Sequence, residues 1–292
     1  MGDAIPLSTA RRRNRGDGAD RLRLGSDGHK ALFSRMLLDT FTPYDPRTIV
    51  WPKLDPPARS RLAGLPIWDI AVDTEEKASC RVKAFAETIA DPLLKEAVEL
   101  NAFEEARHKA LLSSMVKAYD IRLAPARPAD PPRDAEWAFM VTGYSECIDS
   151  FFAFGLFELA KRSGYFPRKL VDTFEPVIQE EGRHITFFVN WLAWHRRNLP
   201  WWRRPLFRVK ELGVWILLLR ERFAVARDLG GETFDNNFTV TGSRSFDAGV
   251  GTAELLDLCL AESERRLGGY DRRLLRPRLV PGLARLARRF MA

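Results

Sequence analysis

The chain has 292 residues, 46% of them hydrophobic, with Phe 19 and Trp 8 and a net charge of +7. That excludes global disorder and gives enough material for one large core, with or without appendages. Three cysteines, Cys80, Cys147 and Cys259, stand far apart with no CxxC or CxxH pair, which excludes a disulfide framework and a zinc knuckle and fits a reducing, cytoplasmic setting.

Residues 1–30 are polar and rich in Gly and Arg, including Arg11, Arg12, Arg13, Arg15, Arg21 and Arg23. The expectation is a disordered basic tail in which His29 is solvated. No apolar h-region follows the arginines, so a signal peptide is not expected. Residues 31–67 join an apolar stretch, Ala31 to Phe41, to six prolines from Pro43 to Pro66. They read as an ordered wrapping segment, because Trp51, Leu54 and Ile67 need burial.

Residues 68–199 read as a four-helix bundle. The predicted helices are Trp68 to Ala90, stopped at Asp91-Pro92; Pro92 to Tyr119; Asp134 to Arg162, stopped at Ser163-Gly164; and Pro167 to Asn198, stopped at Leu199-Pro200. A Pro-rich crossover, Ala124 to Pro132, separates the second from the third. Residues 200–292 form a C-terminal helical extension. It has helices at Leu206 to Arg227, Thr252 to Leu267 and Gly282 to Phe290, and a loop at Gly230 to Gly251 with a short strand at Phe238-Thr239-Val240. The longest strongly apolar run, Gly213 to Leu219, is far short of the roughly 20 residues that cross a bilayer.

Each bundle helix carries a stripe with spacings of three and four. The stripes are Ala71, Glu75, Ala78, Val82, Phe85 and Ile89; Leu94, Val98, Asn101, Glu105, His108, Leu112 and Met115; Phe139, Thr142, Glu146, Asp149, Ala153 and Leu156; and Phe174, Val177, Glu181, His184, Phe188 and Trp191. Such stripes face a core. These are apolar except for acids, histidines and small polar groups near the middle.

The middle contains a repeat. Glu104-Glu105-Ala106-Arg107-His108 on the second helix matches Glu180-Glu181-Gly182-Arg183-His184 on the fourth. Glu and His three apart share a helix face and can bind one ion, so two such pairs provide for two ions. Burying so many acids without a cation would cost many kcal/mol. Hard carboxylates with only two imidazoles suit iron better than a zinc hydrolase site. On the first helix Glu75 is in phase with its stripe and Glu76 one step off, so Glu75 is the candidate ligand. On the third, Glu146 and Asp149 are both in phase; Glu146 is the candidate and Asp149 the alternative.

The doubled [D/E]ExRH pattern resembles the ferritin-like di-iron superfamily, which includes soluble acyl-carrier-protein desaturases, bacterial multicomponent monooxygenases, ribonucleotide reductase small subunits and aryl-amine N-oxygenases. The likeness covers about residues 68–199. It implies an all-α, ferritin-like four-helix bundle holding two Fe ions, or a Mn/Fe pair, on Glu75, Glu105, His108, Glu146, Glu181 and His184, with O2 as co-substrate. It also implies supporting roles for Glu104, Arg107, Glu180 and Arg183, whose acids would accept the free imidazole N–H groups. Ser150 stands where these families carry a small hydroxyl residue beside the O2 site, most often Thr. No Tyr one turn from Glu105 or Glu181 suits a radical, which argues against a reductase subunit.

The expected activity is oxidation (hydroxylation, desaturation or N-oxygenation) of an apolar or lipid-like substrate. The run Phe151, Phe152, Phe154 and Phe157 reads either as plain core or as a pocket wall, and Thr142 can be either. No flavin or nicotinamide motif occurs, so an external electron donor, a ferredoxin or reductase, is expected. Trp191, Trp194, Trp201, Trp202 and Trp215 interleaved with arginines between 191 and 222 suit either a solvated helix junction or a membrane surface. His195, at a helix end, is expected at the surface. No nucleic-acid-reading motif is present. Iron handling is the competing reading, although the long extension argues for a monomer or homodimer over a shell of many subunits. A non-catalytic, metal-stabilised scaffold is the third.

Overall fold

Aspartate and proline set the helix starts. Asp55, Asp91 and Asp134 each accept a backbone N–H of the following first turn, and proline occupies the first turn after Asp55 and Asp91. In the computed structural model, which describes residues 22–125, 129–226 and 251–291, the helices are α1 (Asp27–Asp39), α2 (Pro56–Ala63), α3 (Trp68–Ala86), α4 (Pro92–Ala118), α5 (Ala135–Ser163), α6 (Arg168–Asp172), α7 (Glu175–Asn198), α8 (Arg204–Ala226), α9 (Thr252–Gly268) and α10 (Leu279–Arg289). A 3-10 turn covers Pro46–Thr48, and no strand occurs among the described residues. The fold is an all-α helical bundle.

The helices α3, α4, α5 and α7 surround one core: α3 packs on α4 and α5, and α7 packs on the same two. One end is filled by aromatics. Phe85 and Phe139 stack with centroids 4.3 Å apart, and Trp191 stands edge-on to both at 5.2 and 4.8 Å. Each such side chain, fully buried, contributes roughly 1.5–3 kcal/mol. Around this core α1 lies on α4 and α7, α8 on α5, and α9 on α5 and α7. The approach of α9 to α5 requires Gly155, where a Cβ would collide with Cys259 Sγ.

Several sequence expectations need correction. The part of the expected tail that is described is ordered. Ser26 caps α1 by accepting the His29 N–H, and Gly25 adopts φ +92° just before it. His29 is fully buried rather than solvated. Its Nδ1 accepts the Gly25 N–H and its Nε2 faces Asn190 Oδ1 at 3.0 Å; burial lowers its pKa. The fourth helix is two pieces, α6 and α7, because Pro176 in the first turn of α7 has no N–H to continue the α6 ladder. The first ends at Ala86, where the Thr88 hydroxyl donates to the Phe85 carbonyl. His195 is only partly exposed, stacked on Trp191 at 4.9 Å with Nε2 2.8 Å from Glu136. The loop expected at 230–251, with its strand at 238–240, lies outside the described residues except for Gly251, as do residues 1–21 of the expected tail.

Candidate metal centre

Each bundle helix delivers its acid or histidine to one level of the core. Glu75 from α3, Glu105 and His108 from α4, and Glu181 from α7 offer ligand atoms that all lie within 4.8 Å of one another. Glu105, Glu146 from α5 and His184 from α7 form a second group of three, with ligand atoms within the same 4.8 Å. Glu105 belongs to both, so one carboxylate stands between two positions that could each hold a cation. The two imidazole centroids are 5.8 Å apart. All six sequence candidates are therefore brought together.

The histidines point inward with Nδ1 and are held from behind by Nε2. His108 Nε2 lies 2.8 Å from Glu180 Oε2, and Arg107 donates to the other oxygen of Glu180 at 2.6 Å. His184 Nε2 lies 2.8 Å from Glu104 Oε2, and Arg183 donates to the other oxygen of Glu104 at 2.7 Å. The two halves are near-copies, and each crosses between α4 and α7. With Nε2–H donating to a carboxylate, the neutral ring turns its Nδ1 lone pair to the centre.

The inner atoms lack partners. His108 Nδ1, His184 Nδ1, Glu105 Oε1 and Glu146 Oε1 are buried without a hydrogen bond. His184 Nδ1 and Glu105 Oε1 are 2.7 Å apart but not aligned for one. Charge points the same way. Six carboxylates (Glu75, Glu104, Glu105, Glu146, Glu180 and Glu181) face two guanidiniums (Arg107 and Arg183), leaving four negative charges if the rings are neutral. Two divalent cations carry that charge, so the residues fit a dinuclear metal site.

Without cations the charge is relieved by protons. Burial pushes Glu75 up to about 8 and Glu146 well above the carboxylate range. Burial opposes charge on Glu105 as well, but His184 prevails and holds it at about 2. Both histidines are raised well above the usual imidazole value: desolvation works against them, yet Glu180 behind His108 and Glu105 beside His184 outweigh it.

The remaining candidates separate clearly. Glu76 faces away and pairs with Lys109. Asp149 accepts from Arg222 at 2.8 Å and from Ser145 at 2.9 Å, outside both ligand groups. Ser150 donates to Glu181 Oε2 at 3.3 Å. Three contacts were not legible in the sequence: the carbonyls of Leu37 and Thr42 accept from Arg183 and Arg107, and the Tyr44 ring lies 3.9 Å from the Arg107 guanidinium carbon. The segment after α1, together with Leu37 at the end of that helix, thus closes the back of the site. Its prolines erase the helical period that made the ligands visible.

A cavity of about 360 Å³ opens from the centre. Glu75, Glu105, His108, Glu146 and Glu181 form its polar end, and Leu112, Met115, Leu156, Phe157 and Phe174 are among its apolar walls. Of the aromatic run on α5, only Phe157 reaches this wall; Phe151 packs against α9, and Phe154 joins the main core. Thr142 lines the cavity, with Oγ1 free of hydrogen bonds.

No protein-family model, curated protein or solved structure matches this chain.

Proposed function

We propose that this protein is a di-iron carboxylate enzyme of the ferritin-like type, which uses O2 to oxidise an apolar organic substrate. The reading rests on one observation: two inward Nδ1 atoms and four carboxylates, one of them common to both groups, converge at the end of a cavity with apolar walls, which the four carboxylates and His108 line. Glu75, Glu105, His108 and Glu181 would hold one ion, and Glu105, Glu146 and His184 the other. Iron held there would supply redox chemistry between an external electron donor, ferredoxin-like or reductase, and O2.

The chain's own residues supply the rest. Glu104 and Glu180 fix the rings by accepting the Nε2–H, and Arg107 and Arg183 each donate to the second oxygen of one of these acids and hold it in place. The Ser150 hydroxyl, on Glu181, carries a proton at the rim of the site. The apolar walls exclude water and bind a substrate beside the ligands. Insertion of one oxygen atom into a C–H bond takes O2, two electrons and two protons and releases one water; desaturation releases two. The cavity favours this reading over iron handling, which needs no apolar chamber of that size.

The test is O2 uptake by the Fe(II)-loaded chain with a chemical reductant and a panel of apolar acids, amines and hydrocarbons. A product bearing 18O from 18O2, or a newly desaturated one, supports the proposal. Iron oxidation with no organic product under any of these conditions favours iron handling.

A further inference from the structure

The outward face of α8 is apolar along its length. Leu206, Val209, Leu212, Ile216, Leu219 and Phe223 are each between 48% and 68% exposed. They recur at spacings of three and four, so they form one stripe, about 26 Å long at 1.5 Å per residue. Just before it, Trp201 is 80% exposed and Trp202 52%. Single exposed leucines need no explanation, but a continuous patch of this kind marks an interaction surface.

Charge selects the occupant. Arg208 and Arg220 flank the stripe, and Arg203 and Arg204 stand at its head, all exposed. The two acids of α8 lie elsewhere: Glu211 is buried against Tyr144 and Arg196, and Glu221 lines the cavity. The outer face therefore offers apolar side chains and positive charge without a carboxylate. A symmetric contact with a second copy would set arginine against arginine. An anionic bilayer surface satisfies both halves of the pattern: acyl chains take the stripe, phosphates take the arginines, and tryptophans suit the boundary. No helix among the described residues is long and apolar enough to cross a membrane.

We infer that α8 lies along an anionic lipid surface and docks the protein there. Its inner side supplies Leu218, Glu221 and Arg222 to the cavity wall. Docking therefore sets the cavity one helix away from the bilayer, a ready source of an apolar substrate. That last step rests on the proposed oxidation; the docking does not.

Flotation of the full-length chain with phosphatidylcholine vesicles, with and without phosphatidylglycerol, tests it. Binding is expected to the anionic vesicles, with a blue shift of tryptophan emission in the unaltered protein, and to weaken as salt is raised. The double substitution Leu212→Ser and Ile216→Ser lowers partitioning by about tenfold or more, with the melting temperature unchanged. Arg208→Gln with Arg220→Gln lowers binding to the anionic vesicles selectively. No partitioning of the unaltered chain, or partitioning that the apolar double variant leaves intact, overturns the inference. So does a dimer that the same variant dissociates, which would make the stripe a self-interface. Vesicle binding is read without turnover, so a failed oxidation assay leaves it standing, and its own failure leaves the metal centre untouched.

Discussion

Glu180 stands 2.8 Å behind His108 although the two belong to different helices, α7 and α4. The acid that precedes one candidate ligand, Glu181, thus orients the imidazole of the opposite repeat. Glu104 does the same for His184 in return. Each EExRH segment therefore supplies two inward candidate ligands and the support for its partner, and neither half is complete alone.

Glu180→Gln removes the charge that fixes the His108 ring while keeping the shape. Metal affinity should fall about 10–100-fold, read by competition with a chelator. Arg107 keeps an oxygen to donate to, so the chain should still fold, checked by circular dichroism. An unchanged affinity would assign the Glu180 contact to folding alone.

Glu75→Gln and Glu76→Gln separate register from mere acidity. Glu75 belongs to a ligand group, whereas Glu76 pairs with Lys109 at a partly exposed position. The first substitution should lower the metal content. The second should leave it intact and shift stability by no more than about 0.5 kcal/mol. Metal analysis of the two purified proteins side by side decides this.

Metal uptake should release protons. Burial holds Glu75 up to about 8 and Glu146 well above the carboxylate range, and His108 and His184 stay protonated beyond the ordinary imidazole value. Near pH 7 incoming cations must displace those protons, so affinity rises as pH rises through about 8 and falls on acidification. Titration in weak buffer with a pH indicator measures the release.

His29 makes a separate pH-dependent contribution, with the opposite sign to the metal-free histidines. Its pKa in the fold is lowered, so below the ordinary imidazole value, near 6.5, the unfolded chain binds the extra proton. Stability is then lost as pH falls through that value. His29→Gln should flatten this part of the curve. Urea unfolding of both proteins between acid and neutral pH gives the difference.

The centre was legible because helical phase is strict. Three- and four-residue spacing puts Glu75 inside and Glu76 outside, and both lie where that phase directs them. Phase cannot choose between Glu146 and Asp149, which share a stripe. The choice is made by Arg222 of α8, a contact 73 residues away in sequence. His29 was misread for a related reason. Its burial depends on Asn190, 161 residues distant, and nothing in the Gly- and Arg-rich stretch before it signals a helix start except Ser26. The break at Thr173 and Phe174 was readable from Pro176, but the apolar period running through both pieces concealed it.

Anomalous diffraction at the iron edge, from crystals of the Fe(II)-loaded chain, tests the dinuclear centre most directly. Two peaks are expected, one beside His108 Nδ1 and one beside His184 Nδ1, with Glu105 between them. A single peak, or none at these nitrogens in a protein that retains the fold, would contradict this.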